Sequence, residues 1–246
     1  MASNYYIITG SSRGLGASLS RLLLHKDNAI YCLSRTENEE MASAARNNEC
    51  IYSYHSIDLA FPFEASKVLH DIVACIPLAE AGTITLINNA ATVTPIKDLF
   101  QCTDEEIVTN VNTNLTSPAI LISTFIRLTA DALKTRTVVN ITSGSAHYPS
   151  DGMSLYCSTK AGLNMLTQCV ALERHPINPV NIVAVDPGMM DTLMQETARE
   201  AEFGLSGFFH AQKDAGRLRS TDSVSREIVS GIGKWKSGQI VKIGED

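Results

Sequence analysis

Tyr156 and Lys160 stand four positions apart in a stretch that reads as a helix, so both side chains leave the same face. An ammonium beside a phenol stabilises the phenolate and brings the tyrosine toward proton transfer near neutral pH. Ser143 lies thirteen residues before Tyr156, just past an apolar run at 137–141, and its hydroxyl suits a hydrogen bond to a carbonyl oxygen. Taken singly, each has an ordinary explanation: a tyrosine at the rim of a core, a lysine stem covering apolar surface, a serine in a turn.

A second group of residues suits a dinucleotide. The string Thr9-Gly10-Ser11-Ser12-Arg13-Gly14-Leu15-Gly16 follows an apolar run and opens a helical pattern. Glycines allow close approach, and the start of the helix offers unpaired N–H groups to a pyrophosphate. The spacing G-x-x-x-G-x-G differs from G-x-G-x-x-G, and no Lys-Ser/Thr pair ends the loop, which makes ATP hydrolysis a poor reading. The second apolar run ends in Arg35, where an acidic residue would hold both ribose hydroxyls of NAD. Arg35 and Arg13 suit a 2′-phosphate, favouring NADP, with Glu37 as the rival that would reach the ribose instead. Asp58-Leu59 suits the adenine, although a turn or helix-capping aspartate has the same signature. In Asn88-Asn89-Ala90-Ala91, the small residues allow close approach and the amides can tie neighbouring loops together.

These groups need strand ends to hold them. Apolar runs at 5–9, 29–33, 51–54, 83–87, 137–141, 180–185 and 239–243 alternate with helical patterns at 14–26, 37–47, 62–79, 103–132, 154–173 and 222–235. The 103–132 pattern is one helix or two joined near Pro118, and residues 189–219 break the rhythm with three glycines. The expectation is an α/β fold: one Rossmann-like, doubly wound parallel sheet of about seven strands, flanked by helices on both faces. A single domain over 1–246 is expected, with 189–221 as a lid on the substrate side.

Twenty Lys and Arg against 26 Asp and Glu give a net charge of -6, which argues against a nucleic-acid surface. No run approaches the length of a membrane span, and the N-terminus lacks the pattern of a secretory signal. Six cysteines are scattered without a C-x-x-C pair, so neither disulfides nor a metal site are expected, and the expected location is cytoplasmic.

The combination of TGSSRGLG, NNAA, Ser143 and Tyr156-x-x-x-Lys160 resembles the short-chain dehydrogenase/reductase family over nearly the whole chain. The resemblance implies Tyr156 as general acid, Lys160 on the nicotinamide ribose, lowering the tyrosine pKa, and Ser143 polarising the carbonyl. Asn114 matches the asparagine that helps hold a relay water, with Asn112 as its rival. NADPH/NADP would contact Gly10, Ser12, Arg13, Gly14, Leu15, Gly16, Arg35, Asp58, Leu59, Asn88, Ala90, Tyr156, Lys160, Pro187, Gly188 and Thr192. Ala91 departs from the glycine common in the family.

Further strings, among them Tyr156-Cys157-Ser158-Thr159-Lys160-Ala161-Gly162 and Thr167-Gln168-Cys169-Val170-Ala171, resemble the sepiapterin-reductase-like branch. That implies reduction of a small carbonyl substrate, an aromatic or apolar 1,2-diketone giving an (S)-hydroxyketone. A 3-oxoacyl-thioester reductase or a general alcohol dehydrogenase is the alternative enzyme, and an NADP-sensing protein without turnover the non-enzymatic one. Candidate pocket walls are His147, Tyr148, Met153, Met189, Met190, Met194, Phe208 and Phe209. A homodimer through the long helices also follows from the resemblance.

Overall fold

The computed structural model describes residues 2–132, 134–173 and 179–244. Among them lie strands β1 (Asn4–Thr9), β2 (Asn28–Ser34), β3 (Ile51–Ser56), β4 (Thr83–Asn88), β5 (Thr135–Ile141), β6 (Asn181–Asp186) and β7 (Ile240–Lys242). They form one parallel sheet in the order β3-β2-β1-β4-β5-β6-β7. Parallel neighbours need crossovers, and helices supply them. These are α1 (Gly14–Leu22), α2 (Glu39–Asn47), α3 (Pro62–Ala74), α4 (Asp104–Val111), α5 (Ser117–Leu128), α6 (Ser154–Leu172), α7 (Leu193–Glu200), α8 (Ser206–Asp214) and α9 (Thr221–Gly231).

Consecutive strand residues face opposite sides, so near-continuous apolar strands feed two cores. Ile7, Leu86 and Val138 pack with Leu69 and Ile72 of α3 and with Leu121 and Phe125 of α5. Their neighbours Ile8, Ile87 and Val139 pack on the other side with Leu19 of α1, Met41 of α2 and Ile228 of α9. The chain runs outward from β1 to β3 and returns to place β4 beside β1. Connections on either side of that reversal diverge and leave a crevice beyond the carboxyl ends of the strands.

Two elements differ from the sequence expectation. The helix expected over 62–79 ends at Ala74, because Pro77 lacks an N–H and disfavours helical geometry at Ile76. Residues 189–219, expected to be irregular, carry α7 and α8; helices of 8 and 9 residues between glycine joints are too short to show a period. The 103–132 segment is two helices joined by a π turn at Asn112–Thr116, with Pro118 in the first turn of the second. No helix among the described residues is long and apolar enough to cross a membrane.

Candidate active site

The loops after β1 to β6 all reach the same edge of the sheet. The three glycines after β1 do different work there. Gly10 has φ +69, and a Cβ on it would lie 2.7 Å from the Ala90 Cα. A Cβ on Gly16 would lie 2.1 Å from the Gly10 carbonyl oxygen. Both therefore let the protein pack against itself. Gly14, at φ +57, has only the Thr192 Cγ2 nearby, 3.7 Å from its Cβ position. Its face is open where α1 begins, and Arg13 and Leu15 flank it. No side chain caps that helix start and no acidic residue sits in its first turn. Thr192, the N-cap of α7, likewise makes no capping hydrogen bond. Two uncapped helix starts thus meet at Gly14, a combination that attracts an anion.

The loop after β4 is clamped to this cradle. The Thr9 hydroxyl accepts the N–H groups of Asn89 and Ala90, each at 3.0 Å, and the Asn89 amide donates to the Thr9 and Gly10 carbonyls at 2.9 and 3.1 Å. Asn88 instead is buried and donates to Asn140 at 2.9 Å, so its side chain faces the sheet interior. The loops after β1 and β2 are joined where Asn38 donates to the Ser12 carbonyl at 3.1 Å. Arg13 and Arg35 are exposed on these joined loops, whereas Glu37 lines a groove with Arg46, Cys50 and Tyr52. Asp58 accepts the Ala60 N–H at 3.0 Å, the turn geometry that competed with an adenine contact. Leu59 is buried in the core, which leaves only its backbone for a ligand.

Ser143, Tyr156 and Lys160 converge beyond β5. Lys160 is buried and donates to the Ile141 carbonyl at 2.8 Å, with its Nζ 5.7 Å from the centre of the Tyr156 ring. Burial pushes the Tyr156 hydroxyl up to about 12; the hydrogen bond with Ser143 acts downward and the Asp186 charge upward. The Lys160 ammonium is directed to a backbone carbonyl beside the ring.

Lys160 itself is lowered from 10.5 to about 8 by burial. The unfolded chain holds a proton between those values that the folded chain releases, so stability rises with pH across that window. The penalty below it is roughly 3 kcal/mol. A Lys160→Met variant should lose this rise, read as melting temperature against pH in parallel with the parent; parallel curves for the two would contradict it.

The rivals Asn112 and Asn114 both lie in the π turn and have different partners. Asn112 donates to the Ala60 carbonyl at 3.0 Å, away from the catalytic group. Asn114 is buried and exchanges hydrogen bonds with Thr92, accepting its N–H at 2.9 Å and donating to its carbonyl at 2.8 Å. Pro118 has no N–H to offer the Asn114 carbonyl, which an α-helix would have paired with it. That proline is a sequence signal for the π turn, a feature frequent at functional sites.

Tyr156 packs in a third apolar cluster with Val93 and Met153, flanked by Ile96, Cys157, Met194, Phe203 and Phe209. The Tyr156 hydroxyl lies 3.9 Å from the Met194 sulfur. Of the expected pocket walls, Met153, Met194 and Phe209 are brought together here, and Phe208 stacks edge-on against Phe209. Met190 belongs instead to the core on the opposite face, and Met189 bonds the backbone of Arg219. His147 and Tyr148 are exposed. Val93, Ile96 and Phe203 went unrecognised; the apolar residues directly after NNAA were the available signal for the first two.

A family model described as short chain dehydrogenase matches residues 4–202. The chain belongs to the short-chain dehydrogenase family. It is 39% identical over 250 residues to a benzil reductase ((S)-benzoin forming) of Bacillus cereus, covering 98% of this chain and 99% of that protein. The corresponding Bacillus subtilis protein is 36% identical, with 98% of both chains covered. A 3-oxoacyl-[acyl-carrier protein] reductase from Brucella melitensis, solved in complex with NAD, shares the fold with a TM-score of 0.81 at 20% identity, covering 98% of this chain and 96% of that one.

Short-chain dehydrogenases use a nicotinamide dinucleotide, and the residues present fit one. The open face of Gly14 between two uncapped helix starts suits the pyrophosphate. Pro187 and Gly188 lead from β6 to Thr192, and Gly188 donates its N–H to Asp186 at 3.0 Å.

Proposed function

We propose that this short-chain dehydrogenase is an NADPH-dependent carbonyl reductase acting on small apolar ketones, aromatic 1,2-diketones such as benzil above all, to give the (S)-hydroxyketone. The observation that carries this reading is the position of the Tyr156 hydroxyl, next to Ser143 and within a cluster of Val93, Met153, Met194 and Phe209. Such walls bury an aryl ketone well. The names of the two Bacillus relatives support the same substrate class.

Bound reduced cofactor supplies the hydride. Ser143 donates a hydrogen bond to the carbonyl oxygen and orients it. The Tyr156 O–H bond breaks as the proton passes to that oxygen, leaving a phenolate. Lys160 stabilises the phenolate through the face it shares with Tyr156, and Asn114 holds the path by which the proton returns. Gly10, Gly14 and Gly16, with Ser12 and Leu15, form the cofactor's pyrophosphate cradle; Asp58, Leu59 and Ala90 border its adenine side. Residues 189–221 act as a lid within one reductase domain spanning 1–246.

Arg13 and Arg35 select NADPH by pairing with its 2′-phosphate. Arg35→Ala should raise the KM for NADPH by about tenfold or more and leave that for NADH nearly unchanged, as loss of one charge-assisted hydrogen bond requires. Initial rates with both cofactors measure it; a parent enzyme that prefers NADH would sink the assignment. Turnover of acyl thioesters with none of diketones would move the substrate to the thioester class. Exposed Val108, Met165 and Leu172 on α4 and α6 support a homodimer, which light scattering would show as twice the 26.7 kDa chain mass.

A further inference from the structure

The phenol of Tyr156 has one hydrogen to give, and the Met194 sulfur lies 3.9 Å away in the direction in which the hydroxyl donates. A carbonyl oxygen that takes this proton has to come within about 2.5–3.0 Å of the phenol oxygen. An oxygen placed on that line would overlap the sulfur. None of the steps described above resolves this conflict.

The backbone that carries Met194 is held on both sides. Before α7, the Asp191 N–H donates to the Arg219 carbonyl at 3.2 Å and the Arg219 N–H to the Met189 carbonyl at 3.0 Å. Within α7, the Gln195 amide donates to the Phe209 carbonyl of α8 at 3.3 Å. Beyond α7, Phe203 is seated against Gly152, where a Cβ would lie 3.2 Å from the Phe203 Cβ. The Gly152 carbonyl in turn accepts the Lys97 N–H at 2.9 Å. The Met194 side chain is the part free to yield. It is unbranched, turns about three single bonds and is only partly buried, at the edge of the cluster of Val93, Met153 and Tyr156.

We propose that Met194 is a specificity-determining residue: its thioether fills the place in front of the Tyr156 hydroxyl, every carbonyl substrate displaces it, and the space it gives up sets the size of the groups that flank the carbonyl. The proposal rests on Tyr156 being the proton donor to a ketone. A thioether is a weak acceptor, so it yields the hydroxyl readily to a carbonyl oxygen. The displaced side chain still has to lie along the pocket wall, and there it competes with the substituents of the substrate. Two methyl groups leave room for it, whereas two phenyl rings need the volume it holds.

The test is kcat/KM with NADPH for benzil and for 2,3-butanedione, 1,2-diketones that carry phenyl and methyl groups respectively, in the parent, Met194→Ala and Met194→Phe. Alanine leaves nothing to displace, so the preference for benzil over butanedione should rise about tenfold. Phenylalanine reaches about as far as methionine, but its rigid ring folds aside poorly, so the preference should fall about tenfold. Melting temperatures check that both variants fold, and alanine favours the helix. A loss of packing alone would lower the rates for both ketones together and leave the preference where it was. A preference that stays within about twofold of the parent in both variants, or moves the same way in both, would overturn the proposal. A parent that reduces neither ketone removes the reading on which the proposal rests; a parent that reduces both, with the preference unmoved in the variants, removes only the role of Met194.

Discussion

Replacing Tyr156 with phenylalanine is expected to lower kcat for carbonyl reduction by about a thousandfold while leaving cofactor affinity within a few-fold of the parent. Hydride addition leaves charge on the carbonyl oxygen, and that oxygen needs a proton inside a buried site. The structure places the Tyr156 hydroxyl among Ser143, Lys160 and the apolar wall. Ser143 cannot replace it, since a serine hydroxyl is far too weak an acid to finish the transfer. Because burial holds the tyrosine up to about 12, it is a hydroxyl across the working pH range and is ready to donate. The variant keeps the ring, so packing against Val93 and Met153 survives and stability should change by about 1 kcal/mol or less. Single-turnover rates with saturating NADPH, beside a fluorescence titration of cofactor binding, read the two effects separately.

The largest effect on the scaffold is expected at Gly16. A methyl group there would meet the Gly10 carbonyl oxygen at 2.1 Å and the Asn89 amide nitrogen at 2.5 Å. The first is backbone and the second already clamps the Thr9 and Gly10 carbonyls, so neither can yield without opening the cradle. Gly16→Ala should therefore cost about 3 kcal/mol, the upper end of overpacking, and lower the melting temperature by roughly 6–12 °C. Cofactor binding should be lost with it. Gly14→Ala makes the contrast: its Cβ position is 3.7 Å from Thr192 and only its φ of +57 is strained. A cost of about 1–2 kcal/mol is expected there. Equal melting temperatures for the two variants would show that Gly16 does not serve close packing.

The alternation of strand and helix was readable from the sequence because the apolar runs are bounded by glycine, asparagine and proline, and the doubly wound sheet follows from it. The Tyr156–Lys160 pair was readable because helical spacing alone places both on one face. Other features depend on contacts between segments distant in sequence. Asn88 and Asn89 are the same residue type, and only the β4–β5 register decides that the first faces Asn140 and the second the glycine loop. Met190 and Met194 have similar chemistry, but one packs with α9 and the other meets Tyr156. Burial pushes the Tyr156 hydroxyl up, and burial is a property of the folded chain.

The most direct test of the account is NADPH consumption with benzil, followed at the absorbance of the reduced cofactor and matched to product by chiral chromatography. One NADPH should disappear for each (S)-benzoin formed in the parent, with Tyr156→Phe close to background. Tight NADPH binding without oxidation, across benzil, other 1,2-diketones, sepiapterin and acyl thioesters, would contradict the account and leave a cofactor-binding protein that performs no reduction.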